Sequence, residues 1–378
     1  MKSYDLKIVA DENIPAVEQM FARFGDITRV DGRSLDPEQL VDVDVLLVRS
    51  VTQVNQQLLA NSPVKFVGSA TIGTDHVDKK YLSSRHIQFA SAPGCNADAV
   101  VEYDLSCIMQ LLQQSNESLA DKVVAIVGVG NVGSRLARRL QAVGVKQLIL
   151  NDPPRAQHES GFSDLNSVLE TADIIALHTP LIKGGPWPTE HLLGSAELAM
   201  LKPGAILLNA GRGPAIKGTD LLEFLHNRDD VRTVLDVWEH EPAVDSALAA
   251  MVNIATPHIA GYSLEGKLRG TYMLQQALTS FLQLEGDESL QDFLPDPAIS
   301  SVQLTDQADA LAVINLLYDP YRDDRALRAT LQSPNQQREF DLLRKNYPIR
   351  REFCSLSIDG PISDSNKEKF LRLGFSAQ

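Results

Sequence analysis

Short apolar runs separated by helix-type spacing set the pattern of this chain. From Leu6 to about Ala92 the runs are Leu6 to Ala10, Val45 to Val48, Lys65 to Gly68 and Ile87 to Ala90. Such alternation predicts βαβ units and a parallel sheet. Asp98 to Gln114 then reads as one long helix, with Ala99, Val100, Tyr103, Cys107, Met109, Leu111 and Leu112 on its apolar stripe. It leads into Val123 to Val127, a wholly apolar run that breaks into Gly128-Val129-Gly130-Asn131-Val132-Gly133 and then an amphipathic helix over Ser134 to Val143. Further strands are expected at Gln147 to Asp152, Ile174 to Leu177, Ala205 to Leu208, Thr233 to Leu235 and Asn253 to Thr256. After Gly261, the spacing of Leu264, Leu268, Met273, Leu274, Ala277, Leu278, Phe281 and Leu282 predicts a second long helix, which can return the chain to the first sheet.

The expected architecture is α/β: two Rossmann-like doubly wound parallel-sheet domains separated by a cleft, plus a small C-terminal α+β dimerisation domain. Residues 1–97, completed by 266–286, form the substrate-binding domain, 98–265 the dinucleotide-binding domain, and 287–378 the tail. Gly286-Asp287-Glu288-Ser289 marks the last boundary, with Pro295-Asp296-Pro297 just past it. The tail carries an apolar helix (Ala310 to Tyr318), a basic segment (Arg338 to Arg351) and strand-like Cys354 to Ile358. Its stripe of Leu311, Val313, Ile314, Leu316 and Leu317 is more apolar surface than so small a domain buries alone. A twin domain across a two-fold axis would cover it, which predicts a homodimer formed largely through residues 290–378.

Composition narrows the function. A hydrophobic fraction of 44% with 22% charged residues is that of an ordinary globular protein, and 378 residues suffice for two or three cores. A net charge of -14 opposes nucleic acid and anionic membrane as partners. An anionic substrate then needs locally placed arginines. Cys95, Cys107 and Cys354 are odd in number and lack metal-type spacing, so they are expected to be reduced core thiols, with neither a disulfide framework nor a metal site. No signal-peptide core or transmembrane-length run is apparent, which suggests a cytoplasmic protein.

The glycine run supplies the first chemistry. Gly128 permits the turn, Gly130 lets the backbone approach a pyrophosphate, and Gly133 lets the helix pack against the strand, with Asn131 and Val132 at the helix start presenting N–H groups to the anion. Asp152 ends the next strand roughly 20 residues on, where a carboxylate takes ribose hydroxyls and repels a 2′-phosphate. The cofactor expected is NAD rather than NADP.

Ligands gather at the carboxyl ends of parallel strands. Arg49-Ser50-Val51-Thr52 and Gly68 to Asp75, with Thr71, follow strands of the first domain; their hydroxyls can meet substrate oxygens, although Ser and Thr there are also ordinary turn formers. In the second domain the strand ends run into His178-Thr179-Pro180-Leu181, Asn209-Ala210-Gly211-Arg212-Gly213, Asp236 to Pro242, and Pro257-His258-Ile259-Ala260-Gly261-Tyr262. Arg212, Glu241 and His258 thus fall on one rim. His258 suits proton transfer from a hydroxyl, Arg212 can grip a carboxylate with two parallel hydrogen bonds, and Glu241 can fix the His258 tautomer. Taken singly, each is more often a loop or surface residue; together on a dinucleotide rim they predict a catalytic set.

These residues, with Leu201-Lys202-Pro203-Gly204, resemble the D-isomer-specific 2-hydroxyacid dehydrogenases over about residues 5–285. The resemblance implies that Arg212 binds the substrate carboxylate, Glu241 assists, and His258 is the proton donor or acceptor. Ordinary members end near the returning helix, whereas this chain continues. A closer likeness, to a branch of the family acting on a small phosphorylated 2-hydroxy acid, spans essentially the whole chain. It is carried by Val48 to Thr52, Ala92-Pro93-Gly94-Cys95-Asn96, His258 to Lys267, Lys345-Asn346-Tyr347 and Arg350-Arg351-Glu352. By that likeness Ser50, Thr71 and Tyr262 contact substrate, and Asp152, Thr179, Asp236 and Gly261 contact NAD. The substrate phosphate has two candidate sources of charge, Arg49 and the segment Arg344, Lys345, Arg350 and Arg351, the latter equally readable as a solvated helix face. Two other functions stay open: a dehydrogenase for an unphosphorylated acid such as glycerate or lactate, and a non-catalytic NAD-sensing interaction protein.

Overall fold

The computed structural model describes residues 5–286 and 288–377; Asp287, in the expected boundary run, lies outside them. Two compact units result, one gathering residues up to Asn96 with Ser263–Asp296, the other Ala97–Tyr262 with the tail from Pro297 onward.

The first unit holds a five-stranded, all-parallel sheet of β1 (Leu6–Asp11), β2 (Gly25–Val30), β3 (Val45–Val48), β4 (Phe66–Ser69) and β5 (Gln88–Ser91), in the order β2-β1-β3-β4-β5. β2 has no counterpart in the apolar pattern, because it is an edge strand of Gly25, Asp26, Thr28 and Arg29 whose residues stay largely part-exposed. The central strand β3 is buried throughout, as a strand covered on both faces must be.

The second unit is built on a six-stranded parallel sheet. Its strands β6 (Val123–Val127), β7 (Gln147–Asn151), β8 (Ile174–Leu177), β9 (Ile206–Asn209), β10 (Arg232–Leu235) and β11 (Ile254–Ala255) lie in the order β11-β10-β9-β8-β6-β7. Sequential crossovers run outward on either side of β6, so the strand order reverses there, where doubly wound sheets take their ligands. Helix α1 (Ala97–Gln114) and helix α2 (Asn131–Val143) pack together beside this sheet. Helix α3 (Leu264–Phe281) belongs to the first unit, its Leu268, Leu274 and Leu278 buried with Ile8, Leu47 and Phe66.

The tail departs from expectation in two ways. Its three strands, β12 (Ser301–Gln303), β13 (Ser357–Asp359) and β14 (Ser376–Ala377), form a small parallel sheet of their own, of which only β13 lies near a predicted run. Its helices do not form a separate core. Leu311, Val313 and Ile314 of helix α4 (Ala310–Leu317) are buried in the same cluster as Tyr103, Cys107 and Leu111 of α1. Leu327 of helix α5 (Pro320–Thr330) and Phe340 of helix α6 (Gln336–Lys345) join the cluster on the opposite sheet face with Leu248 and Ala255. The stripe expected to await a twin domain is thus covered mainly by the chain's own α1; Leu316 alone of its five residues is exposed. Helix α7 (Asp364–Leu373) completes the tail beside α2.

Among the described residues no helix is long and apolar enough to cross a membrane, and no group of three His, Cys, Asp or Glu is placed to hold a metal. Cys95 and Cys107 are buried thiols, but Cys354 is exposed, because it lies in a single turn, Phe353–Ser355, ahead of β13 rather than within a strand.

Candidate active site

Three neighbouring strands, β9, β10 and β11, deliver Arg212, Glu241 and His258 from their carboxyl ends. Asn209 shapes the first loop: its Oδ1 accepts from Gly211 N at 3.1 Å and its Nδ2 donates to Arg212 O at 3.0 Å. Gly213 brings this loop against the next one, since a Cβ there would lie 1.9 Å from Trp238 O. That approach leaves the Arg212 side chain exposed at the rim, with Nη1 donating to its neighbour's carbonyl, Gly211 O, at 2.8 Å.

Glu241 is oriented from its own loop, Oε1 accepting from Trp238 N at 2.8 Å, so that Oε2 lies 2.7 Å from His258 Nδ1. A carboxylate on Nδ1 selects the tautomer with Nδ1–H donating and Nε2 free to take a proton. His258 has φ 58°, the left-handed region that non-glycine residues enter only when neighbours impose it. The imposing group is Asp236. Its Oδ1 accepts from Ile259 N at 2.8 Å and Thr256 Oγ1 at 2.6 Å, and its Oδ2 from Ala260 N at 2.9 Å. Burial pushes the Asp236 carboxyl above the ordinary carboxylate range, opposed by nearby His258 and these hydrogen bonds. With 1% exposure and both oxygens engaged, Asp236 is an internal clasp for the His258 loop.

The glycine loop fits a dinucleotide. A Cβ at Gly128 would stand 2.8 Å from the His178 carbonyl, and at Gly133 2.1 Å from Gly128 O, whereas Gly130 faces open space with nothing within 4 Å. Gly211 lies close by, its would-be Cβ 3.0 Å from Leu177 O, with Ala210 part-buried beside it. Thr179 Oγ1 is buried without a hydrogen-bond partner, an acceptor-donor that a cofactor group can satisfy. Asn131 and Val132 open α2, with Asn131 exposed and Val132 part-buried. Asp152 caps a short turn by accepting from Arg155 N at 3.2 Å, while its Oδ2 accepts from Val129 N at 2.9 Å, so the acid is held against the glycine loop. Gly261 closes the His258 turn, Tyr262 N donating to Ile259 O at 2.8 Å.

Of the expected substrate residues, Arg49, Ser50 and Thr71 lie in the first unit and Tyr262 in the second. Arg49 Nε donates to the buried Asp11 at 2.9 Å, and Ser50 beside it is exposed. Thr71 Oγ1 donates to Gly73 O at 3.0 Å and lies 2.8 Å from Ser69 Oγ, which in turn meets His76 Nε2 at 3.0 Å. Tyr262 packs edge-on to Tyr347 at 5.6 Å, with the Arg344 guanidinium 5.8 Å from its ring centroid. Arg350, counted among the phosphate cations, is instead 2% exposed and bound to backbone carbonyls, which removes it from that role. Of the holding residues, Asn209 belongs to the Asn209-to-Gly213 run, whereas Asp11, Thr256 and Trp238 carry no motif of their own; only their positions at or just past strand ends hint at them. A second histidine–carboxylate pair, this one buried, sets His178 Nε2 3.0 Å from Asp104 Oδ2 and joins the β8 end to α1.

A family model described as D-isomer-specific 2-hydroxyacid dehydrogenase, NAD-binding domain, matches residues 106–260, and a domain of unknown function, DUF3410, matches 293–374. Erythronate-4-phosphate dehydrogenase of Pseudomonas putida (strain GB-1) is 50% identical over 93% of this chain and 94% of its own length. That of Escherichia coli O9:H4 (strain HS) is 47% identical over 98% of both. The chain belongs to the erythronate-4-phosphate dehydrogenase family. It is an NAD-dependent oxidoreductase of the 2-hydroxyacid dehydrogenase class. Solved structures with the same fold include NAD+-bound 3-phosphoglycerate dehydrogenase of Entamoeba histolytica (TM-score 0.59, 21% identity, 74% of this chain and 97% of that one). D-2-hydroxyisocaproate dehydrogenase is a second (TM-score 0.62, 19% identity, 75% and 98%).

Proposed function

We propose that this family member oxidises 4-phospho-D-erythronate at C2 to 2-oxo-3-hydroxy-4-phosphobutanoate, a step of pyridoxal 5′-phosphate biosynthesis. The observation that carries the chemistry is the 2.7 Å contact between Glu241 and His258 Nδ1, with Arg212 exposed on the adjoining strand end. Bound NAD supplies a hydride acceptor. His258 takes the C2 hydroxyl proton on Nε2 while Glu241 stabilises the imidazolium that forms. Arg212 holds the carboxylate with its planar fork and draws electron density toward the developing carbonyl. Gly128, Gly130 and Gly133 admit the pyrophosphate, Asp152 takes the adenosine ribose, and Thr179, Ala210, Gly211 and Gly261 line the remaining cofactor wall. Ser50, Thr71 and Tyr262 bind the substrate, and Arg49 and Arg344 are the cations best supported for its phosphate.

Identity with the relatives through the whole chain, tail included, supports the phosphorylated substrate over glycerate or lactate. The same reading places the enzyme in the cytoplasm as a homodimer. Exposed Leu316, Leu342 and Ile349 leave apolar surface on the tail that self-association can cover, Ile349 being 77% exposed. NAD reduction measured with 4-phosphoerythronate beside glycerate, lactate and 3-phosphoglycerate tests the substrate. Light scattering of the full chain tests the assembly, a monomer mass at micromolar concentration contradicting it.

A further inference from the structure

We infer that Arg350 of the tail is a positioning residue for the His258 loop, so that the tail takes part in catalysis from within the same chain. The inference rests on the proposed reading of His258 as the proton acceptor. Arg350 is buried, and its guanidinium bridges two backbone carbonyls: Nη1 donates to Ala260 O at 3.0 Å and Nη2 to Ala99 O at 2.6 Å. The Tyr318 ring lies beneath it, 3.9 Å from guanidinium carbon to centroid, fixing the plane of the fork.

The two acceptors are not arbitrary places on the backbone. The chain passes from the first unit to the second between Asn96 and Ala97, and back between Tyr262 and Ser263. Ala99 and Ala260 each stand within three residues of a crossing, and Arg350 ties these two segments to each other. Ala260 is also two residues past His258. Its N–H is held by Asp236 and its C=O by Arg350, so the residue two places past the catalytic histidine is gripped through both of its flanking peptides. His258 itself has φ 58° and keeps that conformation only while its surroundings impose it. Asp236 belongs to the same sheet as the loop, whereas Arg350 arrives from 90 residues downstream. A planar fork can span two carbonyls; an ammonium can serve one.

A misplacement of a reacting group by about 1 Å can cost roughly 100-fold in rate. Arg350→Met should therefore lower kcat with 4-phosphoerythronate by about 10- to 100-fold. The KM for NAD, set by the glycine loop, should stay within about threefold of wild type. Arg350→Lys should recover part of the loss. Leu373→Ala, a tail substitution away from the fork, serves as the stability control: it should lower the melting temperature and leave kcat within about twofold. Wild-type kcat in Arg350→Met, or an equal kcat loss in Leu373→Ala at matched melting temperature, overturns the inference. If Arg350→Met does not fold, Tyr318→Leu against Tyr318→Phe decides. Loss of kcat only in the leucine variant supports the brace, and unchanged kcat in both overturns it. Full turnover by His258→Ala would instead overturn the reading of the site, a result distinct from any of these.

Discussion

His258 works in a backbone conformation it would not adopt alone, and most of the surrounding chemistry is devoted to keeping it there. Glu241 fixes its ring, Asp236 its loop N–H groups and Arg350 the carbonyl side. His258→Ala should lower kcat by roughly 10²–10⁴-fold with NAD affinity nearly intact, since proton transfer is lost and the glycine loop is untouched. Arg212→Lys should raise KM for the acid and lower kcat together, because an ammonium cannot reproduce the bidentate grip. Steady-state kinetics on both variants with a fluorescence titration of NADH checks these two outcomes. Cofactor choice is also a residue-scale matter. Asp152 stands beside Arg155, whose guanidinium is occupied by Val129 O and Glu159. Asp152→Ser combined with Glu159→Gln removes the repelling charge and releases the cation, and should narrow the preference for NAD over NADP in kcat/KM by at least about tenfold. At this scale the sequence was informative about position: three glycines after β6, an acid at the end of β7, and an Arg, Glu and His beyond neighbouring strand ends all lie where the pattern puts them. It misled for Arg350, because a side chain's partners come from distant backbone, and nothing local marks an arginine as buried.

Elements were legible in proportion to how fully they are buried. The strands β3, β6, β8 and β9 are apolar at nearly every position because helices or loops cover both faces, and all four were predicted within a residue of their bounds. β2 escaped because an edge strand carries polar residues, and β12 and β14 because two or three residues hold no period. The contact between the β9 and β10 loops gives an element-scale prediction. Gly213→Ala should destabilise the fold by about 3 kcal/mol, because its Cβ would overlap the Trp238 carbonyl and neither loop can retreat cheaply. Chemical denaturation checks it. A second prediction concerns α1, where burial raises the Glu102 carboxyl to about 8. Its native pKa thus lies above its unfolded value near 4.5, so the native state binds the extra proton. The associated stability is fully present below pH about 4.5 and is lost as pH rises through about 8. Glu102→Gln should flatten that dependence, melting above wild type at pH 8.5 and close to it at pH 5. A parallel pair of melting curves with the same slope would contradict this.

The whole chain puts a complete dehydrogenase scaffold and a tail into one molecule, and the tail is part of the second unit's core rather than an appendage. Its stripe reads in the sequence as surface awaiting a partner because periodicity shows which face is apolar but not what covers it; here α1 covers most of it. Truncation after about residue 296 should therefore strip both faces of the NAD-binding unit and yield an aggregating protein, not a smaller active enzyme; size-exclusion chromatography of the truncated chain checks this. Leu316, Leu342 and Ile349 of the tail stay exposed, and they are the apolar surface that the proposed homodimer would cover. The central claim is that this scaffold, with Arg212, Glu241 and His258 at its rim, oxidises a phosphorylated 2-hydroxy acid with NAD. Its most direct measurement is the initial rate of NADH formation by the full-length protein with 4-phosphoerythronate, beside erythronate lacking the phosphate. The account predicts NAD-dependent turnover with the phosphorylated acid, lowered roughly 10²–10⁴-fold by His258→Ala, and kcat/KM at least about 100-fold lower without the phosphate, as loss of a charge-assisted contact requires. Equal turnover of the two acids, or none of either, would contradict it.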